Sequence, residues 1–245
     1  KKNLHLGVTA VNTQYSLDFT RRLQPYNLFE FSSDRNFVMG FDYDYVFKNV
    51  NFFGEISRSQ NGGIGFINTA LIELDSRFKL ALVHRKYDKD YQSVYTRAFG
   101  DNARNVNEEG FYIGVEFLPV KYVSVNAYFD NFKSNWLRFR ADAPFSMYDY
   151  FAQVNYRPSS RWDAYFRFRT RQRPRNNTEI TDRTSVVQGA VTTNYRFNIN
   201  YSPTKQLKLA NRYEVVNYKL GNNPTEIGYL LYQDATYTFK KKPLS

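Results

Sequence analysis

Along most of this chain the hydrophobic residues fall at every second position. In the run FVMGFDYDYVF, Phe37, Met39, Phe41, Tyr43, Tyr45 and Phe47 alternate with Gly40, Asp42, Asp44 and two valines. Successive side chains of a strand point to opposite faces, so this run has one ring-rich apolar face and one acidic face. The period recurs in FYIGVEFLP, where Phe111, Ile113, Val115 and Phe117 oppose Tyr112, Gly114 and Glu116. It recurs in YDYFAQVNYRP, with Tyr148, Tyr150, Ala152, Val154 and Tyr156 against Asp149, Gln153 and Asn155. In VTTNYRFNINYSP, Tyr195 and Phe197 lie opposite Arg196, and in EIGYLLYQDATYTF, Leu231 lies opposite Tyr232 and Asp234.

Extended through the chain, the pattern predicts about twelve strands, near 3–11, 37–47, 51–58, 65–74, 78–86, 110–118, 122–130, 148–156, 161–171, 188–201, 207–218 and 226–239. The connectors between them alternate in length. Short ones fall at 48–50, 75–77, 119–121, 157–160 and 202–206, and longer ones at 12–36, 87–109, 131–147 and 172–187, with smaller members at 59–64 and 219–225. A soluble sandwich has no reason to collect its tight turns at one end. An outer-membrane barrel does, with short periplasmic turns and long external loops. The expectation is therefore an all-β, antiparallel up-and-down transmembrane β-barrel, a single region over 1–245 with at least twelve strands, which either close by themselves or are completed by further ones.

The stretch RWDAYFRFRTRQRPR, 161–175, tests this against nucleic-acid binding. Trp162, Ala164, Phe166, Phe168 and Thr170 share one face, while Asp163, Tyr165, Arg167, Arg169 and Arg171 share the other. A platform for single-stranded nucleic acid needs rings and cations on one surface, because one ligand touches both. Here they are segregated, Tyr165 apart, which suits lipid outside and a polar lumen inside. Arg173 and Arg175, beyond the predicted strand and flanking Pro174, are expected in an external loop.

Composition changes the picture in three ways. Aromatic residues make up 18% of the 245 residues, 21 Tyr and 22 Phe among them, and rings pack well on a pleated surface. The mean hydropathy of -0.62 and the absence of a long apolar run exclude a transmembrane helix but not a spanning barrel. A net charge of +11 calls for an anionic neighbour, and zero cysteines exclude disulfides and thiolate metal sites. The N-terminal KKNLHLGVTA lacks the apolar core of a signal peptide, so the chain is expected to be cytoplasmic, processed or partial. KKKPLS, after Phe239, reads as a turn entering another strand.

From about Tyr91 to Pro158 the sequence resembles the barrel region of a Bacteroidota outer-membrane family, in which a periplasmic helix-hairpin-helix region precedes a C-terminal barrel. The runs that carry the likeness are Ala98–Gly100 with Asn107–Gly114, and WLRFRADAP at Trp136–Pro144. Ser134 and Asn135 before Trp136, and Met147, depart from the pattern. The resemblance implies an outer-membrane location and further strands after Ser245. It brings no nucleic-acid role to this region.

The candidate chemistry is lumenal rather than catalytic. Asp42, Asp44, Glu55, Glu116, Asp149, Asp163 and Asp234 are expected inside with Arg167, Arg169, Arg171, Arg196, Lys208 and Arg212. They form either a constriction selecting solutes or a salt-bridge network filling a narrow barrel, since buried charges must be paired. Phe41, Tyr43, Ile113, Val115, Phe166, Phe168, Tyr195, Phe197 and Leu231 are expected against lipid.

No enzymatic activity, cofactor or metal is expected. His84 follows Phe78, Leu80 and Leu82 in phase, so it faces outward near the membrane boundary, with no serine placed for hydrolysis; His5 has no evident partner. QNGGIGF lacks the Lys-Ser/Thr of a phosphate loop and reads as a glycine-rich turn, and the NNT at Asn176 reads as a chance glycosylation match. Asp88, Asp90, Asp101, Glu108 and Glu109 are expected as solvated loop charge. Arg85, Lys86, Arg97, Arg104, Lys133, Arg138, Arg140, Arg173 and Arg175 are expected near the outer leaflet, against lipopolysaccharide phosphates. An envelope protein is a further expected partner. Three functions fit: a porin-like or export-associated barrel, a plugged scaffold barrel anchoring a periplasmic or secretion partner, and a soluble β-rich binder of acidic polymers.

One adjacent pair of residues tests the two faces. Phe166→Arg is expected to cost about 2–4 kcal/mol of stability in a bilayer, whereas Arg167→Ala should alter conductance or internal pairing. Equal effects in an unfolding titration would refute the assignment.

Overall fold

The computed structural model describes residues 3–95, 97–177 and 186–239. They form one twelve-stranded antiparallel sheet in strict chain order. Its strands are β1 (Leu4–Gln14), β2 (Arg35–Phe47), β3 (Val50–Ser59), β4 (Ile64–Asp75), β5 (Phe78–Tyr87) and β6 (Glu108–Phe117), then β7 (Val123–Ser134), β8 (Phe145–Ser159), β9 (Trp162–Asn177), β10 (Val186–Tyr201), β11 (Leu207–Leu220) and β12 (Glu226–Tyr237). The up-and-down order and the twelve strands are those the period predicts. The Asn176 glycosylation pattern continues into Thr178 and the expected turn at KKKPLS begins at Lys240, so both run outside the described residues.

Among the described residues β1 pairs only with β2, and β12 only with β11, so both edges of the sheet are free there. The sheet nevertheless curls. Trp136, between β7 and β8, donates its indole N–H to the Pro25 carbonyl, between β1 and β2, at 3.0 Å, and its ring meets Phe29 edge-on at 5.2 Å. Tyr26 meets Phe139 in the same way. Contacts between the first and seventh connectors are open only to a strongly coiled sheet.

Several strands run further than alternation alone suggests, β7, β8 and β9 among them. β7 continues to Ser134 and β8 begins at Phe145, which shortens the predicted 131–147 loop to 135–144. β9 continues to Asn177, so Arg173 and Arg175 belong to a strand and not to a loop. Pro174 does not end it, because β8 stops pairing with β9 at Gln172. Beyond that point only the β10 side is laddered, and a proline is tolerated where one side of a strand is free.

The register sorts side chains into two faces. One is bare of loops. Across it runs an unbroken apolar row from β2 to β12: Phe47, Val50, Ile72, Leu80, Val115, Ala127, Ala152, Phe168, Tyr195, Val215 and Tyr229. A parallel row joins Phe117, Val125, Val154, Phe166, Phe197, Tyr213 and Leu231. On β8 the apolar positions Tyr148 to Tyr156 span roughly 27 Å of strand at about 3.4 Å per residue. Rings gather toward the short turns, where Trp162 stacks on Tyr201 at 4.3 Å and Phe78 meets Phe117 at 5.8 Å.

The other face is polar and carries loop 88–107. Among the described residues, fourteen polar or charged side chains are buried against seven hydrophobic ones, so no dry core exists between layers. The rings instead lie exposed on the bare face, with Tyr229 78% and Leu231 74% accessible. This inverts the arrangement of a soluble sandwich, whose inner faces are apolar.

Asn107 fastens the loops together. It adopts φ 55°, a left-handed conformation that asparagine tolerates better than most residues. Its side chain accepts from the Trp136 N–H at 2.8 Å and donates to the Trp136 and Leu137 carbonyls at 3.0 and 3.2 Å. Asn107→Ala strands these buried backbone groups at about 1–3 kcal/mol. Limited proteolysis should then cut 88–107 and 135–144 faster, with the strand circular dichroism unchanged.

Candidate charged face and loop latch

Every charged residue expected inside lies on the loop-covered face, and every residue expected against lipid lies on the bare face. Asp42 pairs across strands with Glu55, Asp149 with Arg171, Gln153 with Arg167, and Arg196 with Arg167. Glu116, Asp163, Arg169, Lys208, Arg212 and Asp234 share that side by phase, and Asp44 lies two residues along from Asp42. On the reverse, Phe41 opposes Ile56, Tyr43 opposes Gly54, and Ile113 opposes Phe129.

The charges are distributed unevenly. β2 and β3 present Asp42, Asp44 and Glu55, near which His5 Nδ1 lies 3.9 Å from Asp42. β9 presents a file of arginines. Asp149 holds two of them, Arg169 at 2.6 Å and Arg171 at 3.0 Å. Arg196 is bound by Glu214 at 2.7 Å. Arg167 and Arg212 have neutral partners: Arg167 Nε donates to Gln153 at 2.7 Å and Arg212 Nε to Asn198 at 3.4 Å. Arg212 also lies within the field of Glu214, which it shares with Arg196.

At the loop end the structure corrects three sets of placements, the first of them the Arg85–Glu108 pair. Arg85 is fully buried, not at an outer leaflet. Its Nε donates to Glu108 at 2.5 Å, and its two terminal nitrogens grip Asp130 at 2.8 and 3.0 Å. The alternation that turns His84 outward also turns Arg85 inward, and this was legible in the sequence. Glu108 is no solvated loop charge, for it begins β6 and also accepts from the Asp101 and Asn102 N–H groups at 3.0 and 3.1 Å. Gly110, on the strand between, makes the bridge feasible. A Cβ there would lie 2.6 Å from Phe132 Cβ and 2.9 Å from Arg85 Cζ.

Asp101 is the second correction. Rather than facing solvent, its carboxylate draws Arg138 at 3.4 Å, Arg171 at 3.9 Å and, closer, Arg173. Burial pushes the Asp101 carboxyl above the ordinary carboxylate range, against the pull of Arg173 and Arg138. Arg138 is the third, since it binds Asp101 and Asn102 within the cap. Loop 88–107 is thus latched across the charged face by one carboxylate and three guanidinium groups. Arg104 pairs with Glu30 at 2.6 Å, and Lys133 with Glu109 at 3.3 Å. Lys86, Arg97 and Arg140 stay exposed.

Sequence reasoning also missed a row of rings on the polar face. Phe99 of the loop meets Tyr112 edge-on at 5.1 Å, Tyr112 meets Tyr128 at 5.4 Å, and Tyr128 stacks on Phe151 at 4.9 Å. Arg167 lies 5.5 Å over Phe151. Alternation placed Tyr112 on this face, but their meeting depends on cross-strand register, which composition does not carry. Tyr112, Tyr128 and Phe151 line a cavity of about 420 Å³ with Glu116 and Asn126. His84 has no such setting: it meets Phe66 at 5.1 Å on the bare face. Gln60–Gly63 form a turn, with Gly62 at φ 99°. Among the described residues no group of His, Asp or Glu is arranged to hold a metal ion.

No protein-family model matches the sequence, and no curated protein matches it. Among solved structures the chain is similar to a NanC porin, with 11% identity over 83% of this chain and 94% of that one and a TM-score of 0.39. It is also similar to a KdgM porin, with 10% identity over 95% and 100% and a TM-score of 0.31. A KdgM porin in complex with disordered oligogalacturonate gives 9% identity over 97% and 99%, with a TM-score of 0.30. These comparisons do not identify the Bacteroidota family that residues 91–158 resemble.

Arg85→Met leaves Glu108 and Asp130 buried without their cation, at about 3–5 kcal/mol. Adding Glu108→Gln and Asp130→Asn should return part of that loss in urea unfolding from detergent. A triple variant no more stable than Arg85→Met would show that the arginine acts through packing alone.

Proposed function

We propose that this chain is an integral β-barrel of the bacterial outer membrane, porin-like, whose loop-covered face lines a passage for small hydrophilic anions. The observation that carries it is the apolar row crossing β2 to β12 on the bare face, back to back with the charged face. Such a band, some 25 Å tall and ring-rimmed, is what hydrocarbon requires of a spanning sheet. The free edges of β1 and β12 must then be paired in the bilayer, with each other or with further strands, because lipid cannot satisfy their N–H and C=O groups.

Anion preference follows from Arg167, which donates to neutral Gln153, and from Arg196 and Arg212, which share the single carboxylate of Glu214. In a closed ring the acidic β2–β3 patch faces the arginine file of β9, a constriction that sorts solutes by charge. Exposed Lys86, Arg97 and Arg140 suit lipopolysaccharide phosphates at the outer leaflet. An acidic-polymer binder in water has no use for the apolar band. A second reading, the plugged scaffold with an envelope protein partner, is favoured by the latched loop 88–107. Export-associated passage is the same architecture with the loop displaced.

Planar-bilayer recording separates these readings. The passage reading expects discrete conductance with an anion-selective reversal potential, lowered toward neutrality by Arg167→Gln with Arg212→Gln. Asp101→Asn should raise the single-channel conductance by freeing the loop. Silence from both the parent chain and Asp101→Asn would leave the scaffold.

A further inference from the structure

Loops 15–34 and 88–107 enclose a separate cavity of about 170 Å³ at the long-loop end. Three rings form one wall: Tyr15 lies 6.4 Å from Phe19 and 6.0 Å from Phe31, and Phe19 lies 6.3 Å from Phe31. Two arginines and one glutamate complete the lining. Arg21 and Arg104 both reach the same Glu30 oxygen, Oε2, at 3.0 and 2.6 Å. Two cations on one carboxylate leave a surplus positive charge in a partly desolvated site.

Arg21 is held in a particular attitude: its guanidinium lies 4.8 Å over the Phe19 ring while Nη1 reaches Glu30. Guanidinium groups bind planar carboxylates through a two-pronged fork, which a point charge does not match. The rings contribute apolar area and a preference for planar bodies. A concave apolar wall with a few convergent polar groups is the usual make-up of a small-ligand site.

We propose that this pocket binds a small monoanion built on a planar ring, of the aromatic carboxylate class. The carboxylate meets the terminal nitrogens of Arg21 and Arg104, and the ring packs against Phe19 and Phe31. The volume admits one ring with one carboxylate. The inference does not rest on passage through the sheet, because the pocket lies wholly within the loops.

The test is isothermal titration of the refolded full chain in detergent micelles with benzoate, acetate and benzyl alcohol. Benzoate should bind at least about tenfold more tightly than acetate or benzyl alcohol, since each lacks half of the recognition. Arg21→Gln should weaken benzoate about tenfold or more, Phe31→Leu should weaken it severalfold, and Lys48→Gln at the opposite end should leave it unchanged. Arg21→Lys, which keeps the charge but loses the planar guanidinium fork, should fall between parent and Arg21→Gln, with folding of each variant checked by its heat-dependent gel mobility. Benzoate that fails to bind, binds no better than acetate, or is indifferent to Arg21→Gln and Arg21→Lys would overturn the proposal. A silent channel leaves this titration untouched, so the two readings fail separately.

Discussion

A laddered strand has its backbone polar groups satisfied sideways, which leaves two faces and no third. Whatever a sequence places at odd and even positions must therefore meet two environments. In this chain the odd and even sets differ so consistently that one face repels water and the other requires it. The rest follows from that partition. The apolar side has no second layer to pack on, the polar side collects the loops, and the burial that exists is mainly burial of charge and amide.

Burial of charge then becomes the structural problem to be solved. Arg85 is inaccessible, yet it has three charge-assisted bonds to two carboxylates and lies over the rings of Phe99 and Phe132 at 5.1 and 5.3 Å. Its value is in specificity of register as much as in stability, because Glu108, Gly110 and Asp130 must arrive on neighbouring strands at matching heights. A one-residue slip of β6 would send Glu108 to the bare face. The network thus locks the loop end of the sheet, where the ladder alone is indifferent to such a slip.

How much of this was legible varied with range. The twelve strands, their order and both side-chain faces follow from period two, which is local. Phe166 and Arg167 are put on opposite faces by counting alone. The ends of β9 were not legible, since Pro174 reads as a breaker unless one knows that β8 has already stopped pairing. Asp101 and Arg138 lie in irregular loops, where no period says which way a side chain turns. The Tyr112–Tyr128–Phe151 row and the Arg85 bridge join residues from different strands, and only register brings such residues level. Arg85 is the instructive case: its direction could be counted, but its partners could not.

Loop 88–107 is tied at Asp101 to Arg171 and Arg173 on one strand and to Arg138 on the connector two hairpins further along. Those anchors ride on parts of the sheet that approach or separate as it coils. The loop therefore behaves as a crossbar whose height over the charged face is geared to curvature, and drawing the two free margins of the sheet together would move it without any change in its own backbone.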